Sequence, residues 1–267
     1  SFPTRRSSDL MMKKVLGMVT VLALSVSLLV GCGSTAASPV SSAASTAAES
    51  TTSSVASETT SAAADENAAA AAQLLNDLTG SYQELWPVIL ADEYKQTWLD
   101  DCTALVGEDN AEAAFEKLSS MVTGDVYGED AVKAYANGGG AYFCGFTNDL
   151  ATLTFDGEAS TISGTDKDGN ELFSHPYHYI GMEPVRGLYE FESDDADSGE
   201  FTYFFLAPDT SAETYHIEFR YGSDADALSQ YDAGDYAYWL ASGISTDCDQ
   251  TMIDNCIELF CTENLAG

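Results

Sequence analysis

Basic residues are scarce in this chain: 10 Lys and Arg stand against 43 Asp and Glu, a formal charge of −33 over 267 residues. A surface of that sign repels polyanions, which excludes nucleic-acid binding. Histidine is rarer still, confined to His175, His178 and His216. There is no Gly-x-Ser-x-Gly elbow, phosphate-binding loop or dinucleotide fingerprint. No Cys-x-x-Cys occurs, so neither a thioredoxin-type site nor a thiolate zinc site is supported. Paired carboxylates are too abundant to be diagnostic. Nothing here supports an enzyme, and a binding role is expected instead. Apolar bulk is not lacking. The chain is 45% hydrophobic, with 14 Tyr, 12 Phe and 3 Trp, enough for a packed core.

The first ten residues, Ser1–Leu10, read as a gene-model scar, because Met11-Met12-Lys13-Lys14 begins a bacterial export signal. Arg5-Arg6 lacks the apolar residues that would follow it in a twin-arginine signal. Val15–Val30 is apolar but too short for a spanning helix, which needs about 20 residues. It ends Leu29-Val30-Gly31-Cys32, which resembles the lipobox of bacterial lipoproteins. The resemblance implies a signal peptide over 11–31 and a diacylglycerol on Cys32. Lipidated Cys32 and a Ser/Thr/Ala-rich tether then occupy 32–72; of the 32 residues in 33–64, 26 are Ser, Thr or Ala. Such a composition cannot offset the entropy of ordering, and a flexible coil of that length spans roughly 30 Å. The expected location is extracytoplasmic, with the chain held to the bacterial cell membrane by its lipid.

Residues 73–267 are expected to form one domain, preceded by a helix over Ala68–Leu78. They hold all but five of the 43 acidic residues, a surface suited to cations. Five cysteines fall here: Cys102, Cys144, Cys248, Cys256 and Cys261. Export permits disulfides, but an odd count leaves at least one thiol over, and spacing does not fix connectivity. The first half reads as helical: Tyr82–Leu105, broken near Pro87, then Asn110–Met121 and Glu129–Ala136, ended by Asn137-Gly-Gly-Gly140. The period then changes to two. Strands are expected at Leu150–Phe155, Glu171–Phe173, Tyr177–Ile180, Gly187–Glu192, Glu200–Ala207 and Glu213–Tyr221. Short strands at this spacing predict an antiparallel sheet closing into a barrel or half-barrel. Asp166–Asn170 reads as a hairpin turn rather than a calcium loop, since its Gly and Glu positions are wrong. Asp194-Asp195-Ala196-Asp197 reads as a solvated tip. Asp247–Gln250 offers a capping box for a final helix with Met252, Ile253, Cys256, Ile257 and Phe260 on one face.

The strand Glu213–Tyr221 carries the chemistry. Alternation puts Tyr215, Ile217, Phe219 and Tyr221 on one face and Thr214, His216, Glu218 and Arg220 on the other. His216 and Glu218, about 6.6 Å apart along the strand, can converge on one metal ion. The alternative is that Glu218 pairs with Arg220 or a cross-strand base and His216 is merely exposed.

Four patches in order resemble the ZinT (YodA-like) zinc-binding proteins, whose domain also ends the AdcA-type zinc lipoproteins. Gly80-Ser-Tyr-Gln-Glu-Leu-Trp-Pro87 is similar to the family's Gly-x-Trp-x-Ser-x-Tyr-Pro, and Gly145-Phe-Thr-Asn-Asp-Leu150 to Gly-Tyr-x-Thr-Asp-Val. Tyr177-His-Tyr-Ile-Gly181 with Val185-Arg186 is similar to Tyr-x-Tyr-x-Gly and Gly-Val-Arg-Tyr-Leu-Phe. His216-Ile-Glu-Phe-Arg-Tyr-Gly222 is similar to His-Phe-His-Ile-x-x-Gly, and Asp235-Tyr-Ala-Tyr-Trp239 stands where the family has Trp-Pro-Thr-Tyr-Tyr. The resemblance implies a mainly β fold with helical additions (α+β): a lipocalin-like (calycin) antiparallel barrel binding zinc at its mouth.

The departures are specific. The family uses three histidines; here the first of its His-x-His pair is His216, the second is Glu218, and the upstream one falls on Ala207. Asp209, by a loop shift, or His178, from a neighbouring strand, is the expected substitute. The metal set is thus His216 and Glu218 with Asp209 or His178, a harder and less zinc-selective site than three histidines. The expected function is a surface lipoprotein that binds zinc or a similar divalent cation, scavenging it or delivering it to the components of a metal ABC importer. The alternative is a small-molecule-binding module whose mouth is lined by Tyr177, Tyr179, Tyr236, Tyr238 and Trp239.

Overall fold

The computed structural model describes residues 66–207 and 216–266. The signal, Cys32, most of the tether and Asp209 lie outside the described residues. Eight antiparallel strands form a closed barrel in chain order, with β1 returning to pair with β8. They are β1 (Gly80–Glu84), β2 (Thr152–Asp156), β3 (Thr161–Thr165), β4 (Glu171–Met182), β5 (Tyr189–Ser193), β6 (Tyr203–Leu206), β7 (His216–Gly222) and β8 (Ala241–Ser245). Closure leaves no strand edge, and a layer of helices packs against the outer wall. The barrel with helices is the fold class the sequence predicts.

Alternation fills the interior. Leu153, Phe155, Phe191, Phe204, Ile217, Phe219 and Tyr221 are buried in one core. Phe173 stacks on Phe201 with ring centroids 4.0 Å apart, and Phe204 lies 5.3 Å from Tyr221. Helix α1 (66–77) adds Ala71, Leu74, Leu75 and Leu78 to that core, an i, i+3, i+4, i+7 stripe. Its end presses on the β2–β3 turn so closely that a Cβ on Gly157 would come within 2.4 Å of Asn76 Cα. A glycine is required there.

A second core lies between the outer barrel wall and a helical layer of α2 (Leu85–Ile89), α3 (Lys95–Val106), α4 (Ala111–Ser120) and α7 (Gln250–Leu265). α5 (Glu129–Ala136) and α6 (Ala225–Leu228) complete the helices used below. Trp98 is fully buried there, and its Nε1–H donates to the Ile89 carbonyl at 2.7 Å. Asp249, rather than Asp247, caps α7, accepting from Met252 N at 3.0 Å. Asp166 forms the β3–β4 hairpin turn, accepting from the N–H groups of Asp168 and Asn170 at 2.9 and 2.8 Å.

Three strand expectations change. Residues 80–84 open the barrel as β1, where the sequence pattern reads as helix from Tyr82. The run Glu171–Met182 is one strand with a register shift between Tyr179 and Gly181, not two. β3 and β8 were not expected at all. Each carries a Gly and a Ser and only one large apolar residue, which is little strand signal, and their place comes from pairing partners on both sides.

Candidate metal site

β7 presents its two faces as alternation demands. Ile217, Phe219 and Tyr221 enter the barrel core, while His216 and Glu218 face outward beneath α2 and α7. His216 pairs with Ile244, and Glu218 with Ser242. The two side chains line a small pocket of about 30 Å³ with Leu85, Trp86, Ile89, Cys256, Phe260 and Glu263. The site is therefore on the outer rim of the barrel, roofed by the C-terminal helix, and not in the lumen. Cys256 and Glu263 were not anticipated. Their signal is the α7 spacing 256, 260, 263, which stacks a thiol, an aromatic and a carboxylate on one stripe.

Electrostatics ties these groups together. Burial pushes the Cys256 thiol up to about 12, with Cys248 and the Glu218 carboxylate adding to it. Cys144, against Ser242 and Trp86, is also pushed up to about 12, again by burial first and Glu218 second. The Glu218 carboxylate thus acts on both thiols in the same direction. Arg220, two residues on, is fully buried and directed elsewhere. It donates to the carbonyls of Leu228, Gln230 and Tyr236, and its guanidinium lies 4.4 Å from the Tyr231 ring centroid.

The predicted ligands do not all gather. His178 is three strands from His216 in the barrel order, exposed on β4. Its Nδ1 hydrogen-bonds Asp194 Oδ1 at 2.7 Å, and Glu192 lies 4.0 Å away. His175 makes a matching contact with Asp195 at 2.8 Å. The Asp194–Asp195 tip is thus engaged by two histidines rather than merely solvated. Asp209 lies outside the described residues. Among the described residues, no three His, Cys, Asp or Glu side chains form a group able to hold a metal ion. The rim pocket is lined by residues that carry nitrogen, oxygen and sulfur donors, but no three of those donors gather into a coordinating group.

Of the aromatic set proposed for a small-molecule mouth, Tyr177 and Trp239 belong to the barrel core and Tyr179 and Tyr236 pack against it. Tyr238 stacks on Tyr135 at 3.7 Å, holding a left-handed backbone of φ 56°, and Trp239 meets Tyr221 at 5.0 Å. A hollow of about 340 Å³ lies outside the barrel, between α2 and segments 122–124 and 143–145.

Among solved structures, the chain is similar to the Zn(II)-bound ZinT-like domain of Streptococcus pneumoniae AdcA, at 16% identity and a TM-score of 0.44. That match covers 69% of this chain and 89% of the other. It is also similar to Zn(II)-bound AdcA of the same organism, at 14% identity and a TM-score of 0.41, over 70% of this chain and 35% of the other. No family model matches the chain, and no curated protein matches it. No helix among the described residues is long and apolar enough to cross a membrane.

Proposed function

We propose that this protein binds a divalent cation, zinc foremost, at the barrel rim, with His216 as the nitrogen ligand and Glu218 as the first oxygen ligand. The observation that carries this reading is that both residues of the His-x-Glu pair line one pocket with Cys256 and Glu263. Zinc accepts imidazole, carboxylate and thiolate alike. The remaining positions fall to Glu263 across the pocket, to Asp209 on the segment leading into β7, or to water. With one imidazole, the site is harder and weaker than a three-histidine site, which suits capture and release rather than permanent retention. The role is that of a binding protein without catalysis: lipid-anchored through Cys32 outside the bacterial cell membrane, scavenging metal or passing it to importer components. The −33 charge supports it by concentrating cations near the surface.

The test is a calorimetric zinc titration of the protein purified without a histidine tag. One equivalent that binds well above the graded background of an acidic surface is the expected result. Background binding alone would mean that the barrel persists without the metal chemistry.

A further inference from the structure

Cys102 of α3 and Cys261 of α7 stand with their sulfur atoms 3.9 Å apart, although 159 residues separate them in sequence. Both are completely buried, in the core that joins the helical layer to the barrel wall. The spacing of the five cysteines left their pairing open, and the packing of α3 on α7 selects one pair. We propose that Cys102 and Cys261 are joined as a disulfide when the protein meets a disulfide oxidant, stapling the C-terminal helix to α3.

Three observations favour this pair. A disulfide needs a separation near 2.05 Å, so the sulfurs must approach by just under 2 Å. Cys144 is turned away, its thiol 3.9 Å from the Tyr142 carbonyl. The third is the aromatic packing alongside: Phe260, next to Cys261, meets Trp98 at 6.0 Å and Trp86 at 4.8 Å, fixing α7 in this register.

The chemistry is thiol–disulfide exchange with a small-molecule or protein disulfide, RSSR. One cysteine thiolate attacks a sulfur of RSSR and expels RS⁻. The second thiolate attacks the mixed disulfide and expels the other RS⁻. Two thiols are oxidised with loss of two protons and two electrons, and RSSR is reduced to two RSH. Both thiols are fully buried, so a disulfide oxidant cannot reach them once the core has closed. Exchange therefore runs during folding or through opening of α7. The closed loop would enclose β2 to β8, nearly the whole barrel. The staple also sits two residues before Glu263, so it would steady the roof of the rim pocket, but it does not depend on metal being bound there.

The test is to refold the protein in mixed oxidised and reduced glutathione, quench with iodoacetamide under denaturing conditions, and map the non-reduced digest by mass spectrometry. A linked peptide pair containing Cys102 and Cys261 is expected. A melting temperature about 10 °C above that of the dithiothreitol-treated protein should accompany it. Cys248→Ala should keep the link and the shift, whereas Cys261→Ala should lose both. Alkylation of Cys102 and Cys261 after oxidation, or linkage of either to Cys144, Cys248 or Cys256, would overturn the pairing. The wild-type map decides this even where a variant fails to fold.

Discussion

In the proposed rim site, Ala207 is the residue at which affinity can be tested by adding a ligand. Its N–H donates to the Glu218 carbonyl at 2.9 Å, and the neighbouring pair is Leu206 with Phe219. Ala207 therefore stands opposite Glu218 on the same outer face, the position at which the ZinT-like pattern carries its upstream histidine. Replacing it with histidine would put a second imidazole beside Glu218. We expect Ala207→His to raise zinc affinity at least about tenfold, measured by competition with a chromophoric chelator. Because Ala207 is buried, a stability cost of about 1–3 kcal/mol is expected alongside. Unchanged affinity in a folded variant would place the metal elsewhere. At this scale the sequence was legible where period-two alternation sufficed: His216 and Glu218 do share a face. It was not legible for Cys256 and Glu263, whose approach depends on how α7 lies across β7, a packing fact that no local pattern encodes. His178 failed for the same reason. A motif can place a residue on a strand, but barrel closure decides which strands are neighbours.

Among the elements, the connection from β7 to β8 depends on one side chain. Arg220 is buried at the root of that connection and gathers the carbonyls of Leu228, Gln230 and Tyr236. Tyr231 lies between two guanidiniums, 4.2 Å from Arg186 and 4.4 Å from Arg220. Arg220→Met keeps most of the volume but leaves three carbonyls without this donor. The expected loss is about 2–4 kcal/mol in urea unfolding, with Arg220→Lys recovering only part of it. A loss under about 0.5 kcal/mol would show that the segment is held otherwise. The aromatic-rich strands β2, β5 and β7 were legible because β-branched and aromatic residues alternate with polar ones. β8, Ala-Ser-Gly-Ile-Ser, was not. It is buried by neighbours on both sides, where small residues fit: a Cβ on Gly243 would stand 3.1 Å from Ile217 Cγ1. β1 has only Tyr82 as a large inward residue, and its pairing with β2 and β8 closes the barrel.

For the whole molecule, buried phenols and thiols set an alkaline limit. Burial raises Tyr82 and Tyr231 from the ordinary value near 10 to about 12, and Cys144 and Cys256 from near 9 to about 12. Well below pH 9 these groups are protonated in both folded and unfolded chains and contribute no pH dependence. Between 9 and 12 the unfolded chain releases protons that the folded chain retains, so stability falls as pH rises. Each group contributes about 1.4 kcal/mol per pH unit within its window. Urea midpoints should drop from about pH 9, more steeply above 10, and Tyr82→Phe should lessen the drop. A midpoint that stayed level to pH 11 would contradict the burial of these side chains. The barrel as a whole was legible in the sequence because its strands recur at even spacing between polar turns. The position of the site on the outer rim was not, since it follows from where the helical layer docks.

The measurement that bears most directly on the metal reading is the zinc titration run in parallel on the wild-type protein and His216→Ala, with melting curves to verify that both are folded. One equivalent lost in the variant, while the background binding of the acidic surface stays the same, is the predicted result. An equivalent that survives the loss of His216 would contradict the assignment of the rim pocket as the metal site.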